Sequence, residues 1–127
     1  MFLLAFLLLT KHFLFDFLFQ TPFQYENKGI YGHIGGILHS ALQALGTFLV
    51  FVIVSAVYKS HSLFDLAGVF AVLDFVVHYH IDWAKVNIGK ALNLSPKNRE
   101  FWWFLGFDQY LHYLTYLLMF YIFSFFI

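Results

Sequence analysis

The sequence predicts an all-α polytopic membrane protein, one domain of residues 1–127 folded as a bundle of four transmembrane helices. Three observations carry that expectation. Of the 127 residues, 61% are hydrophobic and 24% aromatic while only 11% are charged, and the mean hydropathy is +0.75. A soluble domain of this size carries roughly a quarter charged residues, and 19 phenylalanines leave little polar surface to turn to water. The apolar residues fall into runs long enough to cross a hydrocarbon core of about 30 Å. Finally, each run carries acids, histidines or glutamines spaced by four, a helical period.

The first span covers about residues 2–20. Its opening, MFLLAFLLLT, lacks a basic n-region and a small-residue cleavage site, and the run continues through His12 and Asp16, so it reads as a retained span rather than a signal peptide. Pro22 disfavours helix at Thr21 and ends it. The connection PFQYENKGIYGH follows, with Gly29 and Gly32 as turn residues and Glu26, Asn27 and Lys28 as a polar core too hydrophilic for lipid. The second span, about 35–58, offers Ser40 and Ala44 as a small-residue face for a neighbouring helix. Lys59 to Ser62 form a short turn, so the second and third spans are antiparallel neighbours. Ser62 and Asp65 have capping-box spacing at the start of the third span, about 63–84. No helix breaker appears before Asn93 and Pro96, so the helix continues past Lys85 and Lys90. Ser95 and Pro96 read as N-cap and first position of the fourth span, about 101–126, with Glu100 near its favourable dipole end.

Composition also excludes function classes. Seven basic residues balance seven acidic ones, which gives no support for nucleic acid as a partner. There is no cysteine, so disulfides, thiolate nucleophiles, iron–sulfur clusters and zinc–thiolate sites are ruled out, and a metal must be held by histidine nitrogen and carboxylate oxygen. There is no HExxH, Gly-x-Ser-x-Gly or Gly-rich phosphate loop.

The chemistry centres on Leu73–Lys85, LDFVVHYHIDWAK. Asp74, His78 and Asp82 are successive i, i+4, i+8 positions on one helical face, with Lys85 on the same side. His12, Asp16 and Gln20 repeat the spacing in the first span, His39 and Gln43 in the second, and Asp108 and His112 in the fourth. Lys28, Lys85, Lys90, Lys97 and Arg99 lie in the first and third connections against Lys59 on the opposite side. The positive-inside rule therefore makes those connections cytoplasmic and both termini external. Trp83, Trp102 and Trp103 fall at the same boundary, where interfacial aromatics belong. In that frame all four polar stripes occupy the cytoplasmic half of the membrane at overlapping depths. Four unpaired buried aspartates would cost on the order of 10 kcal/mol, so something compensates them.

One compensating arrangement is a divalent metal, zinc first, held by His12, Asp16, His39, His78, Asp82 and His112, with Asp74, Asp82 and Asp108 as candidates for catalysis. Spacing by four presents two ligands to one ion from consecutive turns. More donors are present than one zinc requires, so a two-metal site is within reach. Two alternatives stay open: Asp–His and Asp–Lys pairs acting as packing glue between helices or toward a larger membrane complex, and a proton or ion path. The apolar outer halves of the spans count against a path. His33 and His61 read as solvated and His80 as a packing or interface residue. Lys11 reads as snorkelling or paired with an acid, and Lys85 as neutralising Asp82 one turn away or, less commonly, binding a lipid phosphate.

Four motifs in order resemble a family of small bacterial and phage integral-membrane proteins catalogued as a domain of unknown function. They are KHFLFDFLFQTPFQYENKG, HSALQ, HYHIDWAK and FDQYLHYL, and they span almost the whole chain. The resemblance carries over His12, Asp16, Gln20, Lys28, His39, His78, Asp82, Lys85, Asp108, Gln109 and His112. Gln43 stands where the family often has a second histidine. Gln20, Gln43, Lys85 and Gln109 are thus expected to support the ligands. The polar pattern is similar to that of membrane-bound metal-dependent hydrolases, which implies a metal-dependent hydrolase of the inner membrane; the depth of the stripes in the cytoplasmic half adds the expectation of a lipid-like substrate reached from the inner leaflet. Membrane lipids are the expected partners, with a homo-oligomer or a larger membrane complex as the others.

Overall fold

The computed structural model describes residues 2–126, and among these there are helices and no strands. Helix α1 (Phe2–Phe13) runs into a π-helical segment (Leu14–Leu18); α2 (Pro22–Tyr25), α3 (Ile34–Tyr58), α4 (His61–Ala91) and α5 (Arg99–Phe123) follow. The pairing of α3 with α4 is the most extensive, α5 docks on α4, and α1 lies against α3 and α5.

The bundle is apolar outside and partly polar inside. Phe2, Phe6, Leu9, Phe13 and Phe17 form an outward stripe, each about half exposed or more, an apolar surface of the kind that meets a membrane or another protein. Inside, the core divides along its length. One end packs Leu4, Leu8, Phe51, Val54, Leu63, Phe70, Met119 and Phe123, with the Phe51 and Phe70 rings stacked at 4.2 Å. Burying each such side chain contributes about 1.5–3 kcal/mol. The other end buries Lys11, His12, Asp16, His39, Gln43, Asp74, His78, Asp82, Asp108 and His112.

Two helices, α3 and α4, are long and apolar enough to cross a membrane, so the four-span expectation is met in part. Helix α1 has 12 residues before its hydrogen bonding changes. Helix α5 has the length, but its tyrosines, Asp108, Gln109 and His112 dilute its apolar character. The first span also ends differently from the expected continuous helix to Gln20. The Phe19 N–H reaches the Leu14 carbonyl at 2.8 Å, an i→i−5 bond, and the π turn carries Asp16. Such turns cluster at functional sites.

Several cap expectations are corrected. Helix α4 starts at His61 after Ser60, which places Ser62 inside the first turn rather than at a capping box. Helix α5 starts at Arg99 with Asn98 at the N-cap. Ser95 instead bonds the Asn98 side chain through its N–H at 3.0 Å and its hydroxyl at 2.8 Å, closing a turn ahead of the helix. His33 is no free surface residue, because its Nδ1 accepts from the Gly35 N–H at 3.0 Å and caps α3. The α3–α4 turn is as short as expected, with Lys59 in the left-handed region at φ 53°.

The first connection, read from sequence as a polar segment too hydrophilic for lipid, packs onto the bundle. A Cβ at Gly36 would lie 3.1 Å from the Lys28 Cα, and one at Gly35 would run into the Phe23 carbonyl oxygen. The missing side chains let this segment lie flat on α3 and turn Lys28 inward, where it is 8% exposed.

Candidate metal centre

Helix α4 supplies the axis of the site. Asp74, His78 and Asp82 fall on successive turns of one face, each no more than 2% exposed. Around them stand His12 from α1, Asp16 from the π segment, His39 from α3, and Asp108 and His112 from α5, all buried. Donor atoms within 4.8 Å of one another form three groups: Asp16, His39, His78 and Asp82; Asp82, Asp108 and His112; and His12, His78 and His112.

In the first group, His39 Nε2 lies 2.9 Å from Asp16 Oδ1, 3.0 Å from His78 Nε2 and 3.2 Å from Asp82 Oδ2. His78 Nε2 lies 3.5 Å from the same two carboxylate oxygens. A tetrahedral ion with bonds of about 2.0–2.1 Å has donor–donor edges of about 3.3–3.4 Å. Hydrogen bonding alone explains this crowding poorly, because one imidazole nitrogen carries at most one proton while three heteroatoms converge on it.

The surrounding contacts orient these donors. Gln109 Nε2 reaches Asp16 Oδ2 at 3.4 Å and Asp108 Oδ2 at 3.1 Å, and Gln43 Nε2 reaches Asp16 Oδ1 at 3.5 Å. Both nitrogens of His12 are engaged, Nε2 with Gln109 Oε1 at 3.0 Å and Nδ1 with the Tyr116 hydroxyl at 3.1 Å. Gln20 does not join the cluster; its amide donates to the Asp16 carbonyl at 2.6 Å and fastens the π segment. Lys85 was expected on Asp82, but its Nζ lies 2.8 Å from Asp108 Oδ2 on the facing helix. Lys28 takes Asp82 instead, at 3.0 Å from Oδ2. Burial opposes the Lys28 charge, and Asp82, aided by Asp16 and Asp108, outweighs burial and holds the ammonium above the usual lysine range.

Asp74 is in none of the three groups. Its Oδ2 receives Lys11 Nζ and the Thr47 hydroxyl, and Lys11 also donates to the Gln43 carbonyl and side-chain oxygens at 3.2 and 3.0 Å. Lys11 is thus paired with an acid, one of its two expected roles. His80 and His61 face outward. The sequence reading missed Thr47 and Tyr116, although extending the stripes His39–Gln43 and Asp108–His112 by one further turn of four reaches both.

A small helical chain with a buried His/Asp cluster and two helices of membrane-crossing length defines the class. The chain belongs to the family described as Protein of unknown function (DUF3307), whose model matches residues 3–127. No curated protein and no solved structure matches it.

Proposed function

We propose that this protein is an integral membrane metalloenzyme. Its His/Asp centre binds a divalent transition metal, zinc first, and it hydrolyses a lipid-like ester reached from the cytoplasmic leaflet. The observation that carries the reading is the buried four-residue set of Asp16, His39, His78 and Asp82, whose donor atoms lie within 4.8 Å of one another. Nitrogen and oxygen donors in that number suit zinc. Asp16, His39, His78 and Asp82 would hold a divalent cation, which would supply Lewis-acid polarisation of the scissile group and a water activated at neutral pH. Water then adds across the ester, its oxygen going to the acyl or phosphoryl centre and its proton to the departing alcohol.

A groove between α1 and α5 supports the lipid-like substrate. It has a volume of about 500 Å³ and an almost wholly apolar lining that includes Leu8, Leu9, Tyr113, Leu117 and Phe120. Its inner wall is Tyr116, whose hydroxyl holds His12. An acyl chain lying in it would bring its ester linkage toward the cluster, and His12 is the group we assign to move the proton. A second cleft, also about 500 Å³, lies beyond the polar end and carries Lys90 and Asn93 beside the Asp108-paired Lys85, complementary to an anionic headgroup. A proton path finds less support, since the core past the cluster is Leu4, Leu8, Phe51 and Phe123.

The test is hydrolysis by the purified protein in phosphatidylethanolamine and phosphatidylglycerol vesicles, with products followed by mass spectrometry. The expected result is product formation abolished by a chelator and restored by zinc. Product formation indifferent to the chelator, or no product from zinc-loaded protein, would contradict the proposal.

A further inference from the structure

We infer that the centre holds two divalent cations, bridged by the carboxylate of Asp82. The inference rests on the metal reading above and adds a second position to it. Asp82 presents its two oxygens to different partners. Oδ2 faces His39 and His78 of the four-atom set at 3.2 and 3.5 Å. Oδ1 faces His112 Nε2 at 3.5 Å, and that nitrogen lies 3.4 Å from Asp108 Oδ1.

The three atoms of the second group share a property. Asp82 Oδ1, Asp108 Oδ1 and His112 Nε2 are all buried without a hydrogen-bond partner. Each such atom costs about 1–3 kcal/mol unless something satisfies it, and the three residues present donor atoms within 4.8 Å of one another. The other oxygens of both carboxylates are already held, Asp108 Oδ2 by Lys85 and Gln109 and Asp82 Oδ2 by Lys28. That leaves the free oxygens turned toward His112. Two carboxylates and one imidazole are an ordinary donor set for a divalent cation. The His78 and His112 rings pack at 4.2 Å between centroids, so the two positions adjoin. A carboxylate spanning them fits the separation of about 3.5–4 Å found in two-metal hydrolytic sites.

The test loads EDTA-stripped protein in detergent with zinc, removes unbound ion, and combines elemental analysis with zinc X-ray absorption. The wild type should hold two equivalents and show zinc–zinc scattering at about 3.5–4 Å. Asp108→Asn should hold one equivalent and lose that scattering, and His39→Ala should keep one equivalent at the other position. One equivalent in the wild type without zinc–zinc scattering would overturn the second position and leave the first intact. Two equivalents retained by Asp108→Asn would also overturn it, while no zinc in the wild type would overturn the metal centre itself. The wild-type scattering decides the matter if a variant fails to fold.

Discussion

The ammonium of Lys28 lies 3.0 Å from Asp82 Oδ2, although Lys28 belongs to the connection ahead of α3 and Asp82 to the middle of α4. This pair closes the polar end of the bundle. Removing one partner of a buried ion pair costs about 3–5 kcal/mol. Lys28→Met should therefore lower the stability of metal-free protein by about that amount, read as a fall in melting temperature, and zinc should restore most of it by neutralising Asp82. Because the folded Lys28 pKa is raised, its contribution is complete below the ordinary lysine pKa and fades only as pH rises through the folded value. The Lys28→Met difference should stay flat between about pH 6 and 9.

Metal loading should depend on pH where that difference does not. Ligating imidazoles must be neutral. As pH falls, zinc affinity should fall by up to about tenfold per pH unit for each histidine that has to release a proton. Isothermal titration at several pH values measures the slope, and a flat affinity would exclude histidine ligation.

The Lys11–Asp74 pair should serve structure rather than metal binding. Asp74→Asn is expected to destabilise the protein by about 3 kcal/mol with its metal content unchanged. Lys11→Met combined with Asp74→Leu should recover much of the loss, since an apolar pair leaves no buried charge unmatched. Melting curves of the single and double variants give the comparison, and loss of zinc from Asp74→Asn would return Asp74 to the site.

Filling the groove between α1 and α5 should separate substrate access from metal binding. Ala5 lines that groove. Ala5→Phe should reduce hydrolysis of a long-chain substrate by at least about tenfold, chiefly through KM, while metal content and melting temperature hold. An unchanged KM would show that the chain lies elsewhere.

Much of this arrangement is legible from spacing. Apolar run length finds α3 nearly to the residue and the start of α4 within two, and a period of four inside those runs singles out His39, His78, Asp82, Asp108 and His112, because buried helical faces repeat at that interval. The interval misleads where the helix changes form. Gln20 lies beyond the π turn, and a π turn holds an extra residue, so a spacing of four across it no longer returns to the same face. Pairing across helices is harder still. Lys85 is one turn from Asp82 in sequence, yet it reaches Asp108, while Lys28 takes Asp82 from a connection that reads only as too polar for lipid. Nothing local in ENKG says that Gly35 and Gly36 let that segment pack against α3. Thr47 and Tyr116 were within reach, one helical turn past residues already marked.

The central claim, that the buried His/Asp cluster holds a transition metal, is tested most directly by elemental analysis of detergent-purified protein, wild type beside His78→Ala. The expected result is at least one equivalent of a divalent transition metal per wild-type chain, with at least one equivalent lost in the variant. A folded wild-type sample carrying no metal and taking up none when zinc is supplied would contradict it, and would leave the cluster as a hydrogen-bonded network that joins the helices.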